Sequence, residues 1–156
     1  MPDTFAKLTP VDMGEYRNKW LAEGKDLSEL FTAAHTNGAG TPAYGAYFEM
    51  TARDDKYLIL AYNSDADDAV NSHTAAAQDI TIKAGNDGAL ATGNDLVLAD
   101  LAAGDFNMIK IDSGKFKNVK NNAELATLAN VTTVKDCVVI VAESAYVKLC
   151  VIKMPF

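Results

Sequence analysis

Two histidines, His35 and His73, and two cysteines, Cys137 and Cys150, are the side chains best suited to nucleophilic chemistry in this sequence. A hydrolase of that kind needs a Ser or Cys held against an imidazole, with a third group orienting the ring. Neither histidine lies beside a GxSxG elbow or a cysteine motif, so both read as solvated loop residues. The run Asn63-Ser64-Asp65-Ala66-Asp67-Asp68 alternates oxygen donors like the start of a calcium loop. That pattern then fails, because Asp68 stands where the sharp turn needs glycine and Thr74 where a bidentate glutamate closes the shell. A solvated acidic loop is the expectation. Carboxylate pairs for glycoside cleavage can be drawn among Glu49, Asp54, Asp55, Asp112 and Glu143, but 21 acidic residues make any one pair uninformative. Gly38-Ala39-Gly40 lacks the Gly-Lys-Ser/Thr ending of a phosphate cradle. The chain therefore reads as a non-enzyme, with no catalytic residue, no cofactor site and no metal site.

Cys137 and Cys150 each sit inside an apolar run. If the two runs form a hairpin turning near Glu143–Ala145, the thiols lie close enough across the pair for a disulfide. Buried free thiols acting as small hydrophobes are the favoured expectation, and the missing companion ligands argue against zinc.

The aromatic residues divide into two groups. Tyr44, Tyr47, Phe48, Tyr57 and Tyr62 fall in two neighbouring strand-like runs, where core packing is favoured over an exposed row for stacking on sugars. Tyr16 and the single tryptophan, Trp20, lie upstream with Leu27, Leu30 and Phe31. These five are the candidate partner-binding residues, since aromatic anchors dominate many interfaces. Covering one face of the chain's own body is the alternative role.

The elements that must carry these residues follow from the pattern. Over Val11–Ala34 the apolar spacing predicts two short helices broken at Gly24, the second capped by Asp26 or Ser28. His35–Pro42 reads as a loop or hinge, because two glycines and a proline oppose both helix and ladder. Residues 1–41 are thus expected to form a helical N-terminal arm and hinge, and residues 42–156 a β body. Strands are expected at Tyr44–Met50 and Lys56–Tyr62, then at Ile80–Ile82, Leu96–Leu98, Phe106–Ile111, Cys137–Ala142 and Val147–Ile152. Asn63–Ala77 reads as a long exposed loop, Asn121–Asn130 as a short helix or wide loop, and the last two strands as a pair that closes the sheet. The fold class is mainly β, a single antiparallel β-sandwich or barrel-like domain.

A chain of 156 residues suffices for one domain with a true core. Its net charge of −7 disfavours a nucleic-acid partner, which clustered Lys and Arg would recognise. MPDTFAKLTPVDM has neither the basic nor the apolar region of a signal peptide, and no window approaches the roughly twenty apolar residues of a membrane span. Synthesis in a cytoplasm, without a membrane partner, is the expectation.

One stretch carries a resemblance. Thr81-Ile82-Lys83-Ala84-Gly85, Asp95-Leu96, Ala103-Gly104, Asp112-Ser113-Gly114-Lys115-Phe116-Lys117-Asn118-Val119, Val138–Val141 and Val151–Pro155 together resemble the small β-sandwich structural proteins of tailed-bacteriophage virions. About half the chain is covered, and SGKFKNV is its most specific piece. The resemblance implies a capsid decoration or cement protein that binds the outside of the assembled head and stabilises it. Its partner would be the major capsid protein, its self-association a symmetric cluster such as a trimer, and its location the virion exterior after assembly in the host cytoplasm. A tail, neck or head-fibre base protein is the nearest alternative, and a carbohydrate-binding module for host glycans the next.

Overall fold

The computed structural model describes residues 5–12, 31–33, 35–36, 44–50, 55–85, 96–119, 121, 123–127 and 137–154. They build thirteen strands: β1 (Ala6–Lys7), β2 (Val11–Asp12), β3 (Thr32–Ala33), β4 (His35–Thr36), β5 (Tyr44–Glu49), β6 (Tyr57–Asn63), β7 (Gln78–Gly85), β8 (Leu96–Leu101), β9 (Phe106–Asp112), β10 (Lys115–Asn118), β11 (Glu124–Thr127), β12 (Cys137–Ala142) and β13 (Val147–Lys153). Among the described residues no helix is long and apolar enough to cross a membrane.

Two antiparallel-rich sheets pack face to face as a β-sandwich. Sheet A runs β1-β5-β12-β7-β8 with β4 also on β5; sheet B runs β11-β10-β9-β6-β13-β2 with β3 also on β13. Alternation dictates which side chains meet between them, since successive residues of a strand point to opposite faces. In β6 the inward residues Tyr57, Ile59 and Ala61 are buried and the intervening Leu58, Leu60 and Tyr62 are half-buried. From sheet A, Phe48, Ile82, Val138 and Ile140 enter the same core cluster. Phe48 and Tyr57 meet across the layers with ring centroids 5.1 Å apart.

β9 and β10 join through Ser113 and Gly114, whose φ values of 53° and 71° are both positive. A two-residue hairpin turn of type I′ demands this, and its twist matches that of the flanking strands. The SGKFKN piece is thus a tight hairpin that delivers Phe116 into the core, fully buried.

The N-terminal region laces the open side of the sandwich. β1 pairs in parallel with β5 of sheet A, Leu8 enters the core, and β2 pairs in parallel with β13 of sheet B. The chain is again on β13 at β3 and crosses back to β5 at β4. On the outer face of sheet A, Phe5 packs with Tyr47 and Val139.

Four expectations need correction. Val11–Asp12 and Thr32–Ala33 are strands, so the expected helices do not reach either end of Val11–Ala34; backbone pairing to the exposed edge of β13 overrides the local apolar spacing. His35–Thr36 joins a ladder instead of opening a hinge. Glu124–Thr127 pairs with β10 instead of forming a helix or loop. Finally, β12 pairs with β5 and β7 whereas β13 pairs with β6, so the last two strands lie in different sheets and close no hairpin. Likewise β5 and β6, close in sequence, belong to opposite layers.

Candidate functional site

One end of the sandwich carries the ordered chemistry of the molecule. It is built on Asn63, the last residue of β6, whose side chain is completely buried. Its Nδ2 donates to the carbonyls of Ala76 and Leu101, both at 2.9 Å, and its Oδ1 accepts from the Asp65 amide at 3.0 Å. The Asn63 amide donates to the Asp105 carbonyl and its carbonyl accepts from Gly104. One amide side chain thereby ties three chain segments together, which is how a buried polar group becomes affordable.

Asp65 is the second pin and overturns the solvated-loop reading. Its carboxylate is 2% exposed, and it accepts from Ala66 and Ala76 amides at 2.9 Å and from His73 Nε2 at 2.5 Å. The His73 hydrogen bond, ahead of the two amides, holds the Asp65 carboxyl below the usual carboxylate range despite burial. Facing an anion, Nε2 carries the ring proton. The His73 ring also stacks on Tyr146, with centroids 5.3 Å apart at 23°.

The remaining acidic residues are committed to the loop itself. Asp68 accepts from the Val70 and Asn71 amides and from Asn71 Nδ2 at 2.7 Å, and its backbone bridges to His73. These bonds, the Asn71 side chain first, lower its pKa. Asp67 accepts from the Ala75 amide at 2.8 Å. Carboxylates so engaged cap turns in the manner of Asx motifs. Among the described residues no group of three or more His, Cys, Asp or Glu is placed to hold a metal ion.

Ser64, Asp67, Asp68, Asn71, His73 and Tyr146 line an open recess of about 640 Å³. An imidazole beside a buried carboxylate resembles the His–Asp half of a triad, but Asp65 here takes Nε2, the nitrogen that a triad turns toward its nucleophile. The Ser64 hydroxyl, however, donates to the Tyr146 carbonyl at 2.6 Å, and the Ser64 amide donates to the same oxygen. The arrangement fastens the loop to the β12–β13 connection, and the tip it supports presents Val70, 92% exposed.

Beside this end, on the outer face of sheet B, lies an aromatic group. Phe106 is stacked on Tyr62, with centroids 4.7 Å apart, and Phe31 approaches Phe106 at 6.1 Å. Phe106 and Met108, which share a face of β9, are 58% and 42% exposed. Of the five candidate binding residues, Phe31 is half-buried within this group, whereas Tyr16, Trp20, Leu27 and Leu30 lie outside the described residues. The Tyr44–Tyr62 aromatics make no exposed row, since Tyr47, Phe48 and Tyr57 are buried and in different sheets. Cys150 is a free thiol; burial pushes its pKa up to about 11.

Sequence reasoning missed Phe106, Met108 and the Asp65–His73 pair. The first two had a signal, because Phe106-Asn107-Met108-Ile109 is apolar on both faces of one strand. The pair had none, since the loop between its members has no period. No protein-family model matches this chain, and neither a curated protein nor a solved structure matches it.

Proposed function

We propose that the protein is a non-enzymatic structural subunit of a tailed-phage virion, in first place a decoration protein that binds the outside of the head lattice. The observation that carries this reading is the exposed apolar strip of Phe106 and Met108, presented on the rigid face of a sandwich next to a tightly fastened loop. Contiguous exposed apolar surface is uncommon on monomers and marks contact sites. The sequence resemblance to virion β-sandwich proteins supplies the class of partner, the major capsid protein. A subunit that buries this strip at a junction of the expanded lattice, and binds other lattice states less well, stabilises the expanded state by mass action. Self-association into a trimer would multiply the strip and gain avidity from simultaneous contacts. A net charge of −7 suits a subunit on the exterior, away from packaged nucleic acid.

A tail, neck or fibre-base protein would use the same body elsewhere on the particle. The glycan reading asked for an exposed aromatic row, and the burial of Tyr47, Phe48 and Tyr57 leaves it without that support.

The test is co-sedimentation of the purified chain with expanded head shells of its source phage. The comparison is the double variant Phe106→Asp/Met108→Asp, because Leu8 and Phe5 are buried and deletion of the N-terminal region would damage the fold itself. Saturable binding that the variant loses supports decoration. Failure of the unsubstituted chain to bind shells sinks it and moves the tail or neck role to the front.

A further inference from the structure

The two sides of the sandwich are finished differently. On one side β1, Leu8 and β2 cross from sheet A to sheet B and close the core. The far ends of the two strand orders are β8 in sheet A and β11 in sheet B. There Leu96 and Leu98 of β8 pack against the core and yet are only half-buried.

A terminal strand presents a row of backbone N–H and C=O groups to whatever can pair with it, and proteins blunt such rows with shortness, charge, proline or bulges. The other edges of this sandwich are blunted. β1, β2, β3 and β4 are two residues each, with Lys7 and Asp12 among them. β11 is four residues, opens on Glu124 and shifts register against β10. β8 is six residues long, and its Leu96–Ala99 carries neither charge nor proline. Leu96, Val97 and Leu98 hold unbroken register against Ile82, Thr81 and Ile80; the shift in register and the positive φ of Asp100 come only after them. Among the described residues no backbone hydrogen bond reaches these three from outside the β7–β8 ladder. Val97, on the outer face, is 60% exposed.

The strand that fits this edge best is the same strand of another copy. A two-fold axis normal to the sheet reverses chain direction and keeps inner face with inner and outer with outer, so two β8 edges meet as an antiparallel pair. With the axis at Val97, Val97 opposes Val97 on the outer face and Leu96 opposes Leu98 twice on the inner face. Each opposed pair is aliphatic, so the edges meet without like charges in a chain whose net charge is −7. We infer that two copies of this chain pair through the free edge of β8, antiparallel about a two-fold axis at Val97, joining their A sheets and completing the burial of Leu96 and Leu98. Self-association is then a two-fold pair in place of a three-fold cluster. It leaves the Phe106 and Met108 strip of sheet B uncovered and does not depend on shell binding.

Sedimentation velocity of the full chain, from low to high micromolar concentration, is expected to show a reversible shift from monomer to dimer. Val97→Lys sets two lysines against each other on the axis and is expected to lose the dimer, with far-UV circular dichroism unchanged; Val97→Thr, still β-branched, is expected to keep it. A second variant does not rely on disruption. In Val97→Cys the two thiols come within linking reach, and mild oxidation is expected to give a disulfide-linked dimer several-fold faster than in Val70→Cys, whose site is 92% exposed but away from the edge. The unsubstituted chain, which keeps Cys137 and Cys150, is the blank. A chain that stays monomeric at every concentration overturns the inference and leaves the edge to an extended segment of another protein. A trimer, a dimer indifferent to Val97→Lys, or linking of Val97→Cys no faster than that of Val70→Cys overturns it as well.

Discussion

His73 Nε2 donates to Asp65 Oδ1 at 2.5 Å across eight residues of chain, and the carboxylate is almost wholly buried while the ring is one-third exposed. The pair converts an acidic stretch into a fastened loop, with the proton on the exposed partner and the charge on the hidden one. Its strength rests on charge assistance together with two backbone amides on the same carboxylate.

The pH dependence follows in sign. Asp65 is held below its ordinary value of 3.8, first by the His73 hydrogen bond, so it contributes stability above that value that is lost as pH falls through the lower folded value. Asp68 and Asp112 are shifted the same way and add to the slope. The melting temperature of the unsubstituted chain is therefore expected to fall on acidification below about pH 4. Asp65→Asn is expected to be less stable at pH 7, with the gap to the unsubstituted chain narrowing in acid. A gap that stays constant from pH 7 to pH 2.5 would show that the carboxylate charge is not what fastens the loop.

Asn63→Ala strips partners from the carbonyls of Ala76 and Leu101 and from the Asp65 amide. Each buried group left alone costs free energy, and about 3 kcal/mol of unfolding stability is expected to go. Urea titration measures it; a loss under about 1 kcal/mol would mean that water replaces the side chain at little cost.

Gly45 tests close approach. A Cβ there would lie 2.5 Å from the Ile140 carbonyl and 2.9 Å from the Phe5 ring. Gly45→Ala is expected to cost about 1–3 kcal/mol, as overpacking does. Because the closer obstacle is backbone, adding Phe5→Ala should fail to restore stability; full rescue would assign the clash to the ring alone.

The hairpin at Ser113-Gly114 offers a gain. Ser113 adopts a φ of 53°, which Asn tolerates better than Ser in a type I′ turn. Ser113→Asn is expected to raise stability by up to about 1 kcal/mol, net of the lost Ser113–Asp112 hydrogen bond. Chemical denaturation decides it, and a destabilised variant would show that the hydroxyl contact outweighs the backbone preference.

The exposed strip predicts a separation of effects. Met108→Asp is expected to leave stability within about 0.5 kcal/mol, as surface changes usually do, and Phe106→Asp to cost about 1 kcal/mol through its lost stacking on Tyr62, while both remove association with head shells. Thermal melts and sedimentation velocity measured together test this; a large fall in melting temperature would place Phe106 in the fold instead of at a contact.

Much of the sandwich was legible in residue order alone. The runs around Ile80 and Leu149 show the strand signal of apolar residues at every second place, Cys137–Ala142 is apolar throughout and Phe106–Ile111 is apolar on both faces, and Ser113-Gly114 between two strand-like runs marks a tight turn, because these are local properties of the backbone. What residue order did not determine was partnership. The apolar run of Cys137–Ala142 and the alternation in Val147–Lys153 mark two strands, but the pattern is the same whether they pair with each other or enter opposite sheets. The choice of opposite sheets is a long-range one, settled by which arrangement buries the most apolar surface and pairs the most backbone. Edge pairing likewise turned Val11–Asp12 and Thr32–Ala33 into strands where local spacing suggested helix. The acidic loop shows the limit most clearly: the sequence determines that Asp65 and His73 are eight residues apart, and only tertiary structure decides that one carboxylate is buried, because burying a charge is tolerable only once its distant hydrogen-bond partners are in place.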